Sequence, residues 1–326
     1  MAYFGLENGA SAFPATQAIR YQKRFRERFR DKSVLPLATN REWQGTFKGV
    51  GTEVDIPVLP TLHSRKTKPG EKVNYDRPKA SMEKFTIGRE RYIALTLEDE
   101  DKLFAGFNIE GPVLEEATKV MSEEVEAEFW DDIPSKVATA NSGTTAGYKS
   151  GKYNLGSTTY PVSLFKSDSA AGSGSAVTSG AAKMSAVDYL LQHPACIKEQ
   201  PGGKEKPVRI FVPTVLGYLL QTSELKQADL TGDAVSMLRK DLQVLGNIGG
   251  ADVIVTDKLP IYTVSAANCY PIITLDTSAI TFVEEVKIKD KLQSVEEWGD
   301  FHRSKLIYDW FVRYPEFFSV GYVQIG

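Results

Sequence analysis

Leu114, Ala117, Val120, Met121, Val125, Phe129 and Ile133 repeat at helical spacing and mark the strongest element in the chain. Pro112 suits its first turn, where a missing N–H costs nothing, and Pro134 bends or ends it. The pattern predicts a helix of about six turns, roughly 30 Å long. Upstream, Val54, Ile56 and Val58 alternate with polar neighbours, as do Ile93, Leu95 and Leu97 with Ala94 and Thr96. Pro60, Pro69-Gly70 and Pro78 punctuate the polar stretch between these runs. Residues 46–97 therefore read as a long hairpin too hydrophilic to pack on its own domain.

Downstream, a short helix is expected from Ser185, with Asp188 in its first turn and Val187, Leu190 and Leu191 apolar. Val208–Val212 reads as a buried strand, and Pro213 opens a helix through Leu216, Leu219 and Leu220. A further helix is expected over Ala234–Lys240. The remainder is mostly β: a glycine turn and strand over Ile248–Val255 closed by Leu259-Pro260, then Ile272–Leu275, Ile280–Ile288 and Lys305–Arg313. Residues 139–182 are rich in Gly, Ser, Thr and Ala, loosest at Gly172-Ser173-Gly174-Ser175, and are expected to be a mobile surface loop. No internal repeat is present.

With 326 residues, 42% hydrophobic and 25% charged, the chain can bury the core of one large domain or two modest ones. The formal net charge of -3 gives no global attraction to nucleic acid, so any such contact must come from a local patch. Charge is unevenly placed. Between 15 and 32, seven basic residues (Arg20, Lys23, Arg24, Arg26, Arg28, Arg30, Lys32) stand against Glu27 and Asp31, while Tyr21, Phe25 and Phe29 share a helical face. From 63 to 84 the seven bases Arg65, Lys66, Lys68, Lys72, Arg77, Lys79 and Lys84 oppose three acids. The long helix is acidic on its outward side, with Glu115, Glu116, Glu123, Glu124, Glu126, Glu128, Asp131 and Asp132 against Lys119 alone.

Catalytic chemistry finds little support. His63, His193 and His302 lie at no metal-ligand spacing, and a dyad of His193 with Cys196 needs strained geometry. Cys196 and Cys269 read as small buried residues in a reducing compartment. Gly147-Tyr148-Lys149-Ser150-Gly151-Lys152-Tyr153 imitates a phosphate loop but has the wrong glycine spacing, and Tyr153 stands where magnesium needs a hydroxyl of Ser or Thr. Glu98-Asp99-Glu100-Asp101 lacks the glycine of a calcium loop. No cofactor, metal or enzyme activity is expected. Neither a membrane span nor a secretion signal is read from the sequence, which implies a protein made in the cytoplasm.

The order of pieces resembles the major capsid protein of tailed bacteriophages, an α+β fold of the Hong Kong 97 type shared with encapsulin shells. The resemblance runs from about residue 15 to the end. It implies an N-terminal arm (1–45), an extended-loop hairpin (46–97), and a spine helix with the first peripheral-domain part (98–182). An axial domain (183–270) and closing peripheral-domain strands (271–326) follow. Arg209-Ile210-Phe211-Val212-Pro213 with Leu219-Leu220 resembles the axial domain's opening. Gly246-Asn247-Ile248-Gly249-Gly250-Ala251-Asp252-Val253 with Lys258-Leu259-Pro260 resembles its glycine-turn exit. Ile280–Val286 and the run to Arg313-Tyr314-Pro315-Glu316 resemble the closing strands.

The family implication is self-assembly into pentamers and hexamers of a virion shell around double-stranded DNA. Assembly would take place in the bacterial cytoplasm, with a separate scaffolding protein and portal and no membrane. The chain starts at the arm, without the helical scaffold segment some relatives fuse ahead of it. The lysine, asparagine and glutamate set of crosslinking relatives is not matched, so no crosslink is assigned. In this reading Arg65, Lys66, Lys68, Lys72, Arg77 and Lys79 meet a neighbour's Glu115, Glu116, Glu123, Glu124, Glu126 and Glu128. The arm's Arg20, Lys23, Arg24, Arg28 and Arg30 meet DNA without sequence preference, or adjacent subunits. An encapsulin-type cargo shell and an α+β enzyme are the competing readings.

Overall fold

In the computed structural model, which describes residues 33–42, 53–58, 64, 66, 70, 72, 75, 77, 79, 81–98, 110–165, 183–221, 244–264, 267–293 and 299–325, the amphipathic stretch around Val120 is a helix. The helices, in chain order, are α1 (Leu35–Ala38), α2 (Glu110–Asp132), α3 (Ala186–Lys198) and α4 (Thr214–Gln221). Pro112 lies in the first turn of α2, and Pro134 sits in a 3-10 turn, Ile133–Lys136, that closes it. The two prolines therefore mark the ends they were expected to mark.

The chain divides into two compact units, the first drawn from described residues of 53–98 and 282–311, the second from 33–42, 110–281 and 312–325. In the first, β1 (Glu53–Val58) pairs antiparallel with β2 (Ser81–Thr86), in register from Glu53 opposite Thr86 to Val58 opposite Ser81. A three-stranded sheet runs in the order β11 (Ile280–Gln293), β12 (Gly299–Val312), β3 (Arg89–Glu98). Sequence reasoning paired the run Ile93–Leu97 with Val54–Val58 as the two sides of one hairpin. The structure corrects this: the hairpin returns through β2, and β3 pairs with β12, Leu97 opposite Asp300 and Arg89 opposite Tyr308. Ile56, Phe85, Ile87, Val283 and Ile307 form the unit's core, joined by Phe311, whose ring lies 5.3 Å from that of Phe85.

The second unit holds a sheet ordered β5-β4-β13-β10-β6-β8-β7, with β9 on β10. Its strands are β4 (Val162–Phe165), β5 (Lys183–Ser185), β6 (Val208–Val212), β7 (Val244–Ile248), β8 (Ala251–Val255), β9 (Tyr262–Val264), β10 (Ala267–Asp276) and β13 (Phe318–Ile325). Strand β6 lies between β8 and β10 and is buried at every position but the half-buried Arg209, which is why it reads as an apolar run broken by that one residue. Helix α2 packs here through Met121, Val125, Phe129 and Trp130, followed by Ile133 of the closing turn, with the Trp130 ring 4.8 Å from Phe211 of β6.

Two further expectations are corrected. Residues 139–165 are not a loose loop: Asn141, Ala146, Leu155 and Val162–Leu164 are buried. Leu191 is exposed, and the buried face of α3 runs instead through Tyr189, Leu190, His193, Cys196 and Ile197. Strands β4, β5, β7, β9 and β13 had no expected counterpart. The arm helix at 15–32, the stretch 166–182 and the helix at 234–240 lie outside the described residues.

Candidate functional site

Strands β1 and β2 make a ribbon with very little core of its own. On β2 only Phe85 is buried, while Ser81, Met82, Glu83 and Lys84 are exposed on both faces of the ladder. The ribbon is rooted by Ile56 and Phe85, and Lys84 reaches across it to Glu53 at 3.2 Å, which raises the affinity of the amine for its proton. Beyond the ribbon, Lys66, Lys72, Arg77 and Lys79 are exposed, as is Tyr75 at 89%. Arg65 and Lys68 lie outside the described residues. A two-stranded ribbon alone buries little apolar surface.

The outward face of α2 is less uniform than its sequence. Glu115 and Glu124 are exposed, with Glu115 bonded to Lys119 one turn on at 2.9 Å. Glu116, Glu123 and Glu128 are half-buried, and Glu123 meets Lys258 at 3.6 Å. Glu126 does not belong to this face: it is 3% exposed. Its Oε1 accepts the main-chain N–H of Val34 at 3.2 Å and the Trp130 indole N–H at 3.3 Å, and its carboxylate also bonds the Ser33 hydroxyl. Burial raises its pKa in spite of those bonds. The missed signal is Trp130, four residues on and fully buried, which widens the apolar face until it includes position 126.

Glu126 thereby receives the start of a strap formed by residues 33–42. Arg209 donates to the Leu37 carbonyl at 2.6 Å, the Asn40 N–H bonds the Ile280 carbonyl at 3.0 Å, and Glu42 pairs with Arg313 at 3.5 Å. The strap connects to the basic segment in sequence, but Arg20, Lys23, Arg24, Arg28 and Arg30 lie outside the described residues.

The phosphate-loop imitation has an internal explanation. Gly147 and Gly151 hold positive φ, at 115° and 58°, and the turn they shape points the N–H groups of Lys149 and Ser150 at the Glu199 carboxylate, both at 3.1 Å. Bonds from these groups and from the Ser150 and Tyr153 hydroxyls hold that carboxyl below its usual range. The anion cradle is filled by the chain's own side chain. His193 and Cys196 likewise have separate structural partners. His193 Nδ1 lies 3.0 Å from the Ser319 hydroxyl, and Cys196 Sγ lies 3.5 Å from Asn141 Oδ1. Burial holds the imidazole down to about 3 and pushes the Cys196 thiol up to about 12, so neither is poised for proton transfer or attack near neutral pH.

Among the described residues no three His, Cys, Asp or Glu side chains gather as metal ligands, and no helix is long and apolar enough to cross a membrane. No protein-family model matches the sequence, and no curated protein matches it. Solved structures do. The chain from Mycobacterium phage Che8 superposes with a TM-score of 0.61 at 17% identity, covering 97% of this chain and 98% of that one. A chain of the capsid of Cyanophage P-SCSP1u gives 0.62 at 12% identity, over 98% and 95%. A chain of the mature capsid of bacteriophage PhiM1 gives 0.61 at 13%, over 95% and 92%. The chain has the α+β fold of these phage-capsid chains.

Proposed function

We propose that this chain is the major capsid protein of a tailed bacteriophage, a structural protein of the virion that builds its shell by associating with copies of itself. The observation that carries the reading is the extent of the likeness. Superpositions on phage capsid chains run over 95% or more of this chain and 92% or more of theirs.

Under this reading the ribbon β1–β2 with residues 59–80 is the extended loop, α2 the spine helix, and 183–270 the axial domain gathered around capsomer axes. The exposed cations Lys66, Lys72, Arg77 and Lys79 would seat on a neighbour's Glu115, Glu124 and the half-buried Glu116, Glu123 and Glu128. Complementary charge of this kind selects register and partner more than it adds affinity. Rings of five and six subunits close the shell around double-stranded DNA, and the basic arm meets either that DNA, through phosphate contacts alone, or adjacent subunits. A scaffolding protein and a portal complete the assembly in the host cytoplasm. Sedimentation of the purified protein tests the reading: rings and shells are expected, and a monomer or dimer at every concentration would refute it.

A further inference from the structure

We infer that Glu126 is the positioning residue that fixes the first residues of the strap 33–42 on the helix Glu110–Asp132, and that it does so as a hydrogen-bond acceptor rather than as a charge.

The strap 33–42 is pinned at separate points. Its later residues are held without Glu126, at Leu37 by Arg209 and at Asn40 by the Ile280 carbonyl. Its first residues depend on the carboxylate. Val34 is the N-cap of the short helix Leu35–Ala38, and its N–H lies outside that helix's own bonds. Val34 is 2% exposed, and its N–H goes to Glu126 Oε1 at 3.2 Å. The same oxygen takes the Trp130 indole N–H, and Trp130 is itself fixed between Phe129 and Phe211. The carboxylate therefore joins the strap to a rigid part of the helix.

Charge is not what holds it. The cation that faces Glu126 is Lys258, and its amine is already engaged by Glu123 at 3.6 Å and Asp257 at 3.3 Å. The Val34 N–H, the Trp130 indole and the Ser33 hydroxyl all come to the carboxyl as donors, contacts that a neutral acceptor of the same shape can receive, and burial works against the ionised form.

The test uses thiol labelling of the full-length, unassembled protein carrying V34C, a readout that does not depend on shell formation. Cys196 and Cys269 are buried and report whether the fold is intact. With E126Q, position 34 should label as slowly as with Glu126 present. With E126A, and with the bulkier E126L, labelling at 34 should rise by about tenfold or more while Cys196 and Cys269 stay silent. Slow labelling at 34 in E126A or E126L would overturn the anchor. Fast labelling in E126Q would overturn its action as an acceptor. If E126A exposes all three thiols, E126L and E126Q decide the question.

Discussion

The side-chain amide of Gln200 donates to Asn141 Oδ1 at 3.0 Å, and both residues are sealed inside the larger unit. Asn141 in turn donates to the carbonyls of Glu316 at 2.6 Å and Phe318 at 3.0 Å, so one amide ties the start of the 139–165 segment to the end of α3 and to β13. N141A would orphan the Gln200 amide and two carbonyls at once, and should cost about 3 kcal/mol in urea unfolding of the unassembled subunit. N141D would set a carboxylate against those two carbonyls and should cost more. A change below about 0.5 kcal/mol in both would contradict the role, since that is the scale of an ordinary surface substitution.

His193 gives the folded state a pH dependence. Its pKa falls from 6.5 to about 3 in the fold because burial disfavours the cation. Between those values the unfolded chain binds a proton that the folded chain does not. Stability therefore drops as pH falls through that window, by up to ~1.4 kcal/mol per pH unit. H193Q removes the titrating group, so its unfolding free energy should fall less steeply than wild type between about pH 6 and 4. Parallel curves would mean that His193 does not stay neutral.

How much of this was legible in the sequence depends on why each residue type was used. Helix α2, the strand Val208–Val212 and the helix after Pro213 were readable because apolar spacing alone sets them. Strand β13 was not: it is buried nearly throughout, so its polar members do not mark a solvent face. Ser319 is there for His193, and a Cβ at Gly321 would collide with the Tyr189 hydroxyl and the Leu155 carbonyl. In β7 a bulge between Val244 and Gly246 breaks the alternation. The composition of 139–165 suggested looseness, yet Gly143, Gly147, Gly151 and Gly156 serve turns with positive φ. Glu126 shows the same limit at the site, because charge alone placed it on the wrong face of its helix.

The hairpin cations should matter for assembly and not for folding. Lys66 and Lys72 are exposed, and the ribbon's anchors are Ile56 and Phe85. Changing Lys66, Lys68 and Lys72 together to Glu should leave the unfolding midpoint of the subunit within about 0.5 kcal/mol of wild type while abolishing particles. Normal particles from the triple variant would rule out the proposed pairing with a neighbour's acidic helix.

For the arm, replacing Arg24, Arg28 and Arg30 with Gln removes three positive charges available to phosphate. Empty shells should still form, with less DNA retained after nuclease treatment and a weaker dependence of DNA binding on salt. Failure to assemble in the absence of DNA would instead assign those residues to contacts between subunits.

Electron microscopy of the full-length protein, expressed and purified without a tag on the arm, tests the central claim most directly. The account predicts closed shells, or sheets and tubes, in which rings of five and six subunits are visible. Dispersed monomers or dimers that remain so across concentration and salt would contradict it.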